Sequence, residues 1–188
     1  MSIIDDVKES ISNLLKELTT KYQKSNNWKE YHIGATLTHC LTCLKRNNKI
    51  YSPTKVPMLP EHERCACYLD WLRKLSIGSA TSQGKSGTDY YLYQYGTLPS
   101  NYITKEQAYN LGWVPILGNL DKVAPGKVIG GNVFNNREEK LPNALGRIWY
   151  ECDIDYNGGY RNNYRLIYSN DGLIFKTDSH YSRFIAVE

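Results

Sequence analysis

Two acidic side chains, two arginines and a histidine in the last third of the chain have the types and spacing to act on a phosphate. These residues are Glu151, Asp153, Arg161, Arg165 and His180. On an extended strand, side chains an even number of positions apart share a face, so the acidic pair and the arginine pair would each share one. A carboxylate can act as a base, an imidazole as an acid, and arginine can neutralise charge that develops on phosphate oxygens. The pattern predicts phosphoryl chemistry without a metal on the surface of a sheet.

The elements that must position these side chains are indicated by capping residues, glycines and prolines. Thr104 with Gln107 predicts a capped short helix that ends near Leu111. Glycine and proline then separate short runs with strand composition. The runs predict antiparallel strands at 147–156, 160–169, 173–176 and 181–187. The C-terminal half is therefore expected to be α+β, with short helices followed by an antiparallel sheet.

The N-terminal part has a different pattern. Apolar residues at three- and four-residue steps predict an amphipathic helix over about 2–24, and weaker helical patterns cover about 28–44 and 67–75. Residues 76–88 are small and polar, which is typical of a flexible linker. The expected organisation is a helical, cysteine-rich module (1–75), a flexible linker (76–88) and a catalytic domain (89–188).

Four cysteines and a histidine are concentrated in the N-terminal module. They are Cys40, Cys43, His62, Cys65 and Cys67. Two short loops carrying such ligands suit a tetrahedral structural zinc site. Cys65 and Cys67 are closer together than usual in such sites, so His62 could replace one of them as a ligand. The same residues also fit two disulfides or free thiols, and the spacing leaves these alternatives open.

Composition restricts the class of protein and of partner. The chain has 188 residues, 41% of them hydrophobic, and a net charge of +4, a mild basic bias that suits a polyanionic partner. It has sixteen tyrosines against three phenylalanines, and tyrosine favours sheet faces and can stack on unpaired bases. Packing and solubility account for most of these tyrosines.

The chain is not expected to enter a membrane. No run approaches the roughly 18 apolar residues of a spanning helix, and the N-terminus has neither the basic nor the apolar region of a secretory signal. We expect synthesis in the cytoplasm, with any export or delivery to a target cell by a route that uses no signal peptide.

Residues from about 91 to 184 resemble the barnase family of guanyl-specific bacterial ribonucleases. The matching runs are Leu98–Lys105, Leu111–Val114, Val123–Lys127, Ile129–Gly131, Asn136–Glu138, Lys140–Pro142, Gly158–Asn162 and Lys176–Tyr181. So many runs in one order make chance similarity very improbable. The resemblance implies the microbial-ribonuclease fold, with short helices packed on an antiparallel sheet.

The resemblance also implies catalytic roles that agree with the chemistry of the residues. Glu151 would be the general base for the ribose 2′-hydroxyl, and His180 the acid for the leaving 5′-oxygen. Arg161, Arg165 and Lys105 would hold the scissile phosphate. No cofactor is implied for this reaction, and the need for a 2′-hydroxyl restricts it to RNA.

Substrate-binding roles are implied in the same way. Asn136, Arg137 and Glu138 match the loop that reads guanine, Tyr181 would stack on the base, and Asp153 would orient the arginines. Tyr102 also lies in a matching run and is placed with the substrate-binding residues. Among the departures from the family pattern, Asn132 stands for an aspartate and Asn135 for a serine in the guanine loop, which could weaken base preference.

These features predict a toxin or effector that cleaves single-stranded RNA after guanosine. A catalytic domain without a secretion signal would threaten its producer, so an acidic inhibitor or immunity protein resembling barstar is an expected partner. The cysteine-rich segment, about 40–67, resembles an element of phage minor head morphogenesis proteins, which implies a prophage context and a delivery or assembly partner. The alternative is an RNA-binding or phage-structural protein whose ribonuclease domain is vestigial.

Overall fold

Two β-sheets form the framework of the described structure. The computed structural model describes residues 28–32, 41–52, 55–59 and 66–188. The amphipathic helix predicted for residues 2–24 lies outside these ranges.

The larger sheet has seven strands among the described residues. The strands are β4 (Lys74–Leu75), β5 (Tyr102–Ile103), β6 (Val128–Val133), β7 (Trp149–Asp153), β8 (Arg165–Ser169), β9 (Ile174–Thr177) and β10 (Ile185–Val187). Their order across the sheet is β4-β10-β9-β8-β7-β6-β5. Neighbouring strands from β6 to β10 are antiparallel, which confirms the predicted meander. At the two edges, β5 and β4 pair in parallel with β6 and β10.

Short helices precede the meander, as predicted. They are α2 (Thr88–Tyr95), α3 (Lys105–Asn110) and α4 (Leu120–Val123), with 3₁₀ turns at Gly84–Ser86 and Pro115–Leu117. The Thr104 side chain accepts from the Gln107 amide, and the Gln107 side chain accepts from the Thr104 amide, so the predicted capping box is present. No helix in the described ranges is long and apolar enough to cross a membrane.

The smaller sheet belongs to the N-terminal part and corrects the helices predicted there. Its strands β1 (Lys29–His32), β2 (Ile50–Tyr51) and β3 (Tyr68–Trp71) are antiparallel in the order β2-β1-β3, and α1 spans Leu41–Arg46. The predicted helices at 28–44 and 67–75 were therefore wrong over β1, β3 and β4. Short apolar runs suit either structure, and cross-strand pairing decided the outcome here.

The two faces of the larger sheet are buried by different parts of the chain. Cys152, Leu166 and Ile174 face a core that includes Leu92 of α2. The alternate residues Trp149, Ile167 and Phe175 face a second core, to which the N-terminal part contributes Trp28, Ile50 and Leu72. The N-terminal part therefore contributes to the same core as the sheet. Burying each such side chain stabilises the fold by about 1.5–3 kcal/mol.

The segment 76–88, expected to be a flexible linker, makes specific contacts. The Asp89 carboxylate, fully buried, accepts from the amides of Gly78 at 2.7 Å and Ala80 at 3.1 Å. The Ser82 amide donates to Asp155 at 2.9 Å. Small polar residues offer little apolar surface, but their backbone donors are satisfied by these carboxylates, which gives the segment a defined conformation.

Candidate active site

Glu151 occupies the middle of β7, on the sheet face that also carries Trp149. It lies directly opposite Ile167 of β8, and only 7% of its surface is exposed. Lys105 Nζ donates to Glu151 Oε1 at 2.5 Å, and the Tyr181 hydroxyl donates to Oε2 at 2.7 Å. Each carboxylate oxygen therefore has a donor from a different element.

The surroundings of Glu151 stabilise its ionised form. Burial by itself would raise the pKa of Glu151, but the hydrogen bonds from Lys105 and Tyr181, with the charges of Lys105 and Arg161, outweigh burial and lower it. Burial and the bond to the carboxylate raise the pKa of Tyr181, which keeps its hydroxyl a donor. The arrangement presents a carboxylate ready to accept a proton at neutral pH.

Asp153 holds two arginines beside this carboxylate. Its side chain is buried, and Arg161 donates to both of its oxygens, at 2.6 Å and 2.7 Å. Arg165 lies opposite Asp153 across the β7–β8 pair and makes an ion pair at 2.8 Å. Burial opposes the charge on Arg161, but Asp153 outweighs it and raises the pKa of Arg161. Asp153 therefore fixes the positions of both guanidiniums.

Arg161 reaches Asp153 from a loop, which corrects one predicted element. The strand expected over 160–169 begins only at Arg165, and Arg161 belongs to the connection from β7. Its guanidinium lies 5.8 Å from the ring centre of Trp113. The Trp113 ring and the Asp153 carboxylate therefore position the Arg161 side chain. The spacing had predicted that Arg161 and Arg165 would share a face of one strand, which they do not.

Lys105 is positioned by a residue that sequence reasoning noted only as a departure from the family. The Asn132 side chain accepts from the Lys105 backbone amide at 3.0 Å, at the start of α3. Asn132 follows an irregularity in the pairing of β6 with β7, where Gly131 has a φ of 85° that favours glycine. The bulge turns Asn132 toward α3, and only the folded strand pair reveals this role.

His180 lies in the loop between β9 and β10, next to Tyr181. Its side chain is exposed, and the two rings are 5.1 Å apart and roughly perpendicular. His180 and Tyr181 have φ of 51° and 66°, in the left-handed region that residues other than glycine seldom adopt. The Tyr181 amide donates to the Thr177 hydroxyl at 3.1 Å, which anchors the loop to β9. This strained turn presents the imidazole to solvent beside the carboxylate site.

A cavity of about 290 Å³ opens beside Glu151. It is lined by Val133, Phe134, Asn135, Asn136, Arg137, Glu138, Lys140, Glu151, Tyr181 and Phe184. The structure therefore brings the predicted guanine loop, the predicted stacking tyrosine and the predicted base to one opening.

Asn136 shapes the loop from inside. It is buried, and its side chain donates to the Leu141 carbonyl at 2.7 Å and accepts from the Leu141 amide at 3.1 Å. Because the Asn136 side chain makes these bonds within the turn, hydrogen bonds to a base would come from backbone groups of the loop. The φ of 44° at Asn136 matches the tolerance of asparagine for left-handed turns.

Five residues that line the cavity were not among the predicted site residues, and two of them, Lys140 and Phe134, contact predicted ones. Lys140 pairs with the exposed Glu138 carboxylate at 2.6 Å, and it donates to the Tyr181 carbonyl at 3.3 Å. Phe134 stacks on Tyr181 with ring centres 5.4 Å apart. The apolar, strand-end position of Phe134 was indistinguishable in sequence from a core residue.

Tyr102 lies beneath the site. Its hydroxyl donates to the Asp153 carbonyl at 2.8 Å and lies 2.8 Å from the Thr88 hydroxyl of α2. The side chain joins α2 to β7 and is not among the residues that line the cavity. The structure therefore gives Tyr102 a packing contact, in contrast to the substrate contact predicted for it.

The predicted zinc ligands are described only in part. Cys40, His62 and Cys65 lie outside the described residues, whereas Cys43 and Cys67 are within them. Burial, followed by the neighbouring Cys67 and Cys43 thiols, raises the pKa of Tyr31, so both thiols lie near one buried phenol. Across the described ranges, no group of three or more metal-ligating side chains comes together. The zinc site remains a prediction.

The fold and the site define a ribonuclease. A mixed α/β arrangement of few helices on an antiparallel sheet carries the carboxylate, arginine and histidine set beside a base-sized cavity. A family model described as ribonuclease matches residues 85–188, more than half of the chain, and the chain belongs to this family.

Named bacterial ribonucleases are similar over the same length. Ribonucleases of Heyndrickxia coagulans, Bacillus intermedius and Bacillus pumilus are each 57% identical to the chain over 101 residues, 54% of its length. The match covers 93% of the Heyndrickxia protein and 62% of each Bacillus protein. The chain thus spans less than two thirds of the two Bacillus relatives. Residues 1–84 lie outside the family match.

Proposed function

We propose that this protein is an endoribonuclease that cleaves single-stranded RNA after guanosine, through a 2′,3′-cyclic phosphate and without a metal. The observation that carries the proposal is the buried Glu151 carboxylate held between Lys105 and Tyr181, with two arginines fixed by Asp153 beside it. Membership of the ribonuclease family supports RNA as the substrate.

In the first step, the 2′-oxygen attacks the phosphorus and the bond to the 5′-oxygen breaks. Glu151 accepts the 2′-hydroxyl proton, and His180 donates a proton to the departing 5′-oxygen. In the second step, His180 accepts a proton from water and the water oxygen attacks the cyclic phosphate. The bond between phosphorus and the 2′-oxygen breaks, and Glu151 returns its proton to that oxygen. Arg161, Arg165 and Lys105 stabilise the extra negative charge on the phosphate in both steps.

Lys105 connects substrate binding with the strength of the base. Its side chain is about one third exposed, so a phosphate can approach it from the solvent side. A phosphate that shares this ammonium weakens its bond to Glu151, and the carboxylate then becomes a stronger base as the 2′-hydroxyl arrives. A base with a pKa closer to neutral accepts a proton more effectively.

Guanine preference follows from the donors and acceptors of the 135–140 loop. The Glu138 carboxylate can accept from the ring N–H and the amino group of guanine, whereas adenine has no donor at that ring position. Lys140 pairs with Glu138 at 2.6 Å and can remain beside the carboxylate when the base is bound. Stacking on Tyr181 would contribute about 1–3 kcal/mol for any base, so discrimination depends on the loop.

The test is cleavage of the dinucleotides GpA, ApA and CpA in the presence of EDTA. We expect GpA to be cleaved fastest, with guanosine 2′,3′-cyclic phosphate as the first product. Glu151→Gln and His180→Gln should each lower kcat by roughly 10² or more. Glu106→Gln, at an exposed position of α3, is the matched control and should retain the wild-type rate.

Each other result contradicts a named part of the proposal. RNA binding with no cleavage would favour the vestigial, RNA-binding alternative. Equal cleavage of GpA and ApA would contradict the guanine preference. Such a result would agree with the presence of Asn135 where the family has a serine in this loop. Loss of activity in EDTA would overturn the metal-independent mechanism.

A toxin role would require a partner that protects the producing cell. The cations of the site would suit an acidic inhibitor resembling barstar, whose carboxylates could occupy the phosphate position. The N-terminal module would then serve delivery, docking or assembly, in line with its phage-like element. Substituting exposed N-terminal residues such as Leu41 and Met58 in the full chain, and finding no change in export or partner binding, would count against that role.

A further inference from the structure

The base cavity continues into a groove formed with the N-terminal part of the chain. A second cavity, of about 500 Å³, shares Arg137, Glu138 and Lys140 with the base cavity and is closed on its other side by residues 44–49. A third, of about 530 Å³, shares Lys49 with the second. Neighbouring cavities therefore share lining residues, from the base cavity at Glu151 to the third cavity at Lys55.

The N-terminal segment is fixed to the guanine loop at this groove. The Ile50 amide donates to the Lys140 carbonyl at 2.8 Å, and Lys49 pairs with Glu139 at 3.0 Å. The Asn48 side chain donates to the Ser182 carbonyl in the His180 loop at 3.3 Å. These bonds connect the N-terminal wall of the groove to the guanine loop and to the His180 loop.

Cations outnumber carboxylates along the groove. The second cavity is lined by Lys45, Lys49, Arg137 and Lys140 against two glutamates. The third is lined by Arg46, Lys49 and Lys55 against one glutamate, with Tyr51 and Pro57 between them. Positive side chains at intervals suit successive phosphates, and an aromatic ring between them suits an unpaired base.

We propose that this groove is a further RNA subsite, which binds the nucleotides that precede the cleaved guanosine. The inference rests on the proposed function. The scissile phosphate follows guanosine and lies at Lys105, Arg161 and Glu151, so the downstream strand leaves on that side. The groove lies on the other side of the guanine loop and contains none of those three residues. The part of the strand that can enter it is the 5′ part.

Lys45 and Lys55 supply phosphate contacts in this subsite. Both are exposed residues at the groove, and Lys55 Nζ is 3.4 Å from the Asn143 carbonyl on its opposite wall. Residues 41–57 lie outside the ribonuclease family match, so one wall of the subsite comes from the N-terminal part and the other from the ribonuclease part.

The test compares three substrates: GpA, GpA extended by four adenosines on the 5′ side, and GpA extended by four adenosines on the 3′ side. We expect the 5′ extension to raise kcat/KM above its value for GpA. The double variant Lys45→Glu/Lys55→Glu should lower kcat/KM roughly tenfold for the 5′-extended substrate and leave it unchanged for the other two. Lys85→Glu is the matched control, because it is exposed and is not among the residues that line the three cavities.

Salt dependence supplies a second measurement. Each phosphate contact to a single strand contributes about 0.7 to the slope of log affinity against log salt, so the double variant should lower that slope by at least this amount. The slope for GpA measures the catalytic site itself and serves as the reference for both proteins.

The outcomes separate the inference from the proposed function. No cleavage of GpA refutes the proposed function. Cleavage of GpA with no gain from the 5′ extension, or an equal loss in the double variant on all three substrates, overturns the subsite. If polyglutamate inhibits the wild type but not the double variant, while RNA cleavage is unaffected by the substitutions, the groove binds an acidic protein and the inference is again overturned.

Discussion

The chemistry of the site depends on which groups reach the two oxygens of Glu151. One is held by an ammonium and the other by a phenol, and both donors lower the pKa of the carboxyl against the effect of burial. Asp153 is likewise held between two cationic donors, the guanidiniums of Arg161 and Arg165. Removing one charge from such a set changes the ionisation of the others.

Lys105→Ala should move the acid limb of the pH profile to higher pH. The pKa of Glu151 is lowered by Lys105, so removing the ammonium raises it, and the base becomes protonated at a higher pH than in the wild type. The measurement is kcat/KM for GpA across the acidic range, with the exposed Lys122→Ala as the control. A lower rate with an unmoved acid limb would show that Lys105 acts on the phosphate but not on Glu151.

At the scale of elements, the segment before α2 is organised by one carboxylate. Asp89, in the first turn of α2, accepts from Gly78 and Ala80, so residues 76–88 follow a defined path from β4 to the helix. Ser82 adds a second anchor on Asp155, just after β7. The contacts hold β4 against β10 and place α2 on the sheet.

Asp89→Ala should destabilise the fold by about 2 kcal/mol, because it leaves buried backbone amides without an acceptor. We also expect faster proteolytic cleavage within 76–88. The measurements are urea unfolding and limited proteolysis, with Gln94→Ala, exposed on the same helix, as control. Equal stability and unchanged cleavage would mean that the segment is as flexible as its composition suggested.

At the scale of the whole molecule, the N-terminal strands and the ribonuclease sheet share a core. Trp28 is 5% exposed, and its ring centre lies 6.2 Å from that of Phe175 in β9. Ile50 and Leu72 join the same cluster. A shared core predicts that the two sheets unfold together.

Trp28→Ala should lower the free energy of unfolding by about 3 kcal/mol, since it opens a cavity in that core. Far-UV circular dichroism and loss of GpA cleavage should shift to the same lower urea concentration. The matched control is Trp71→Ala in β3, where the ring is 57% exposed and carries Lys29 on its face, with an expected change of about 1 kcal/mol or less. Unfolding of the ribonuclease part at the wild-type midpoint would mean that the two sheets are independent.

Much of the site was predictable because its signals are local. The capping box at Thr104, the alternation along β7 and the polar spacing from Glu151 to His180 depend on residues close in sequence. The sequence by itself therefore determined which residue types make up the candidate site and the elements on which most of them lie.

The tertiary structure decided what depends on distant partners. Whether the run at 28–32 became helix or strand depended on pairing with residues 50–51 and 68–71, and the path of 76–88 depended on Asp89 and Asp155. Long-range pairing selects among conformations that local propensity leaves nearly equal in free energy. For the same reason, only the folded chain places the N-terminal segment beside the 135–140 loop, where we propose that the groove extends the site.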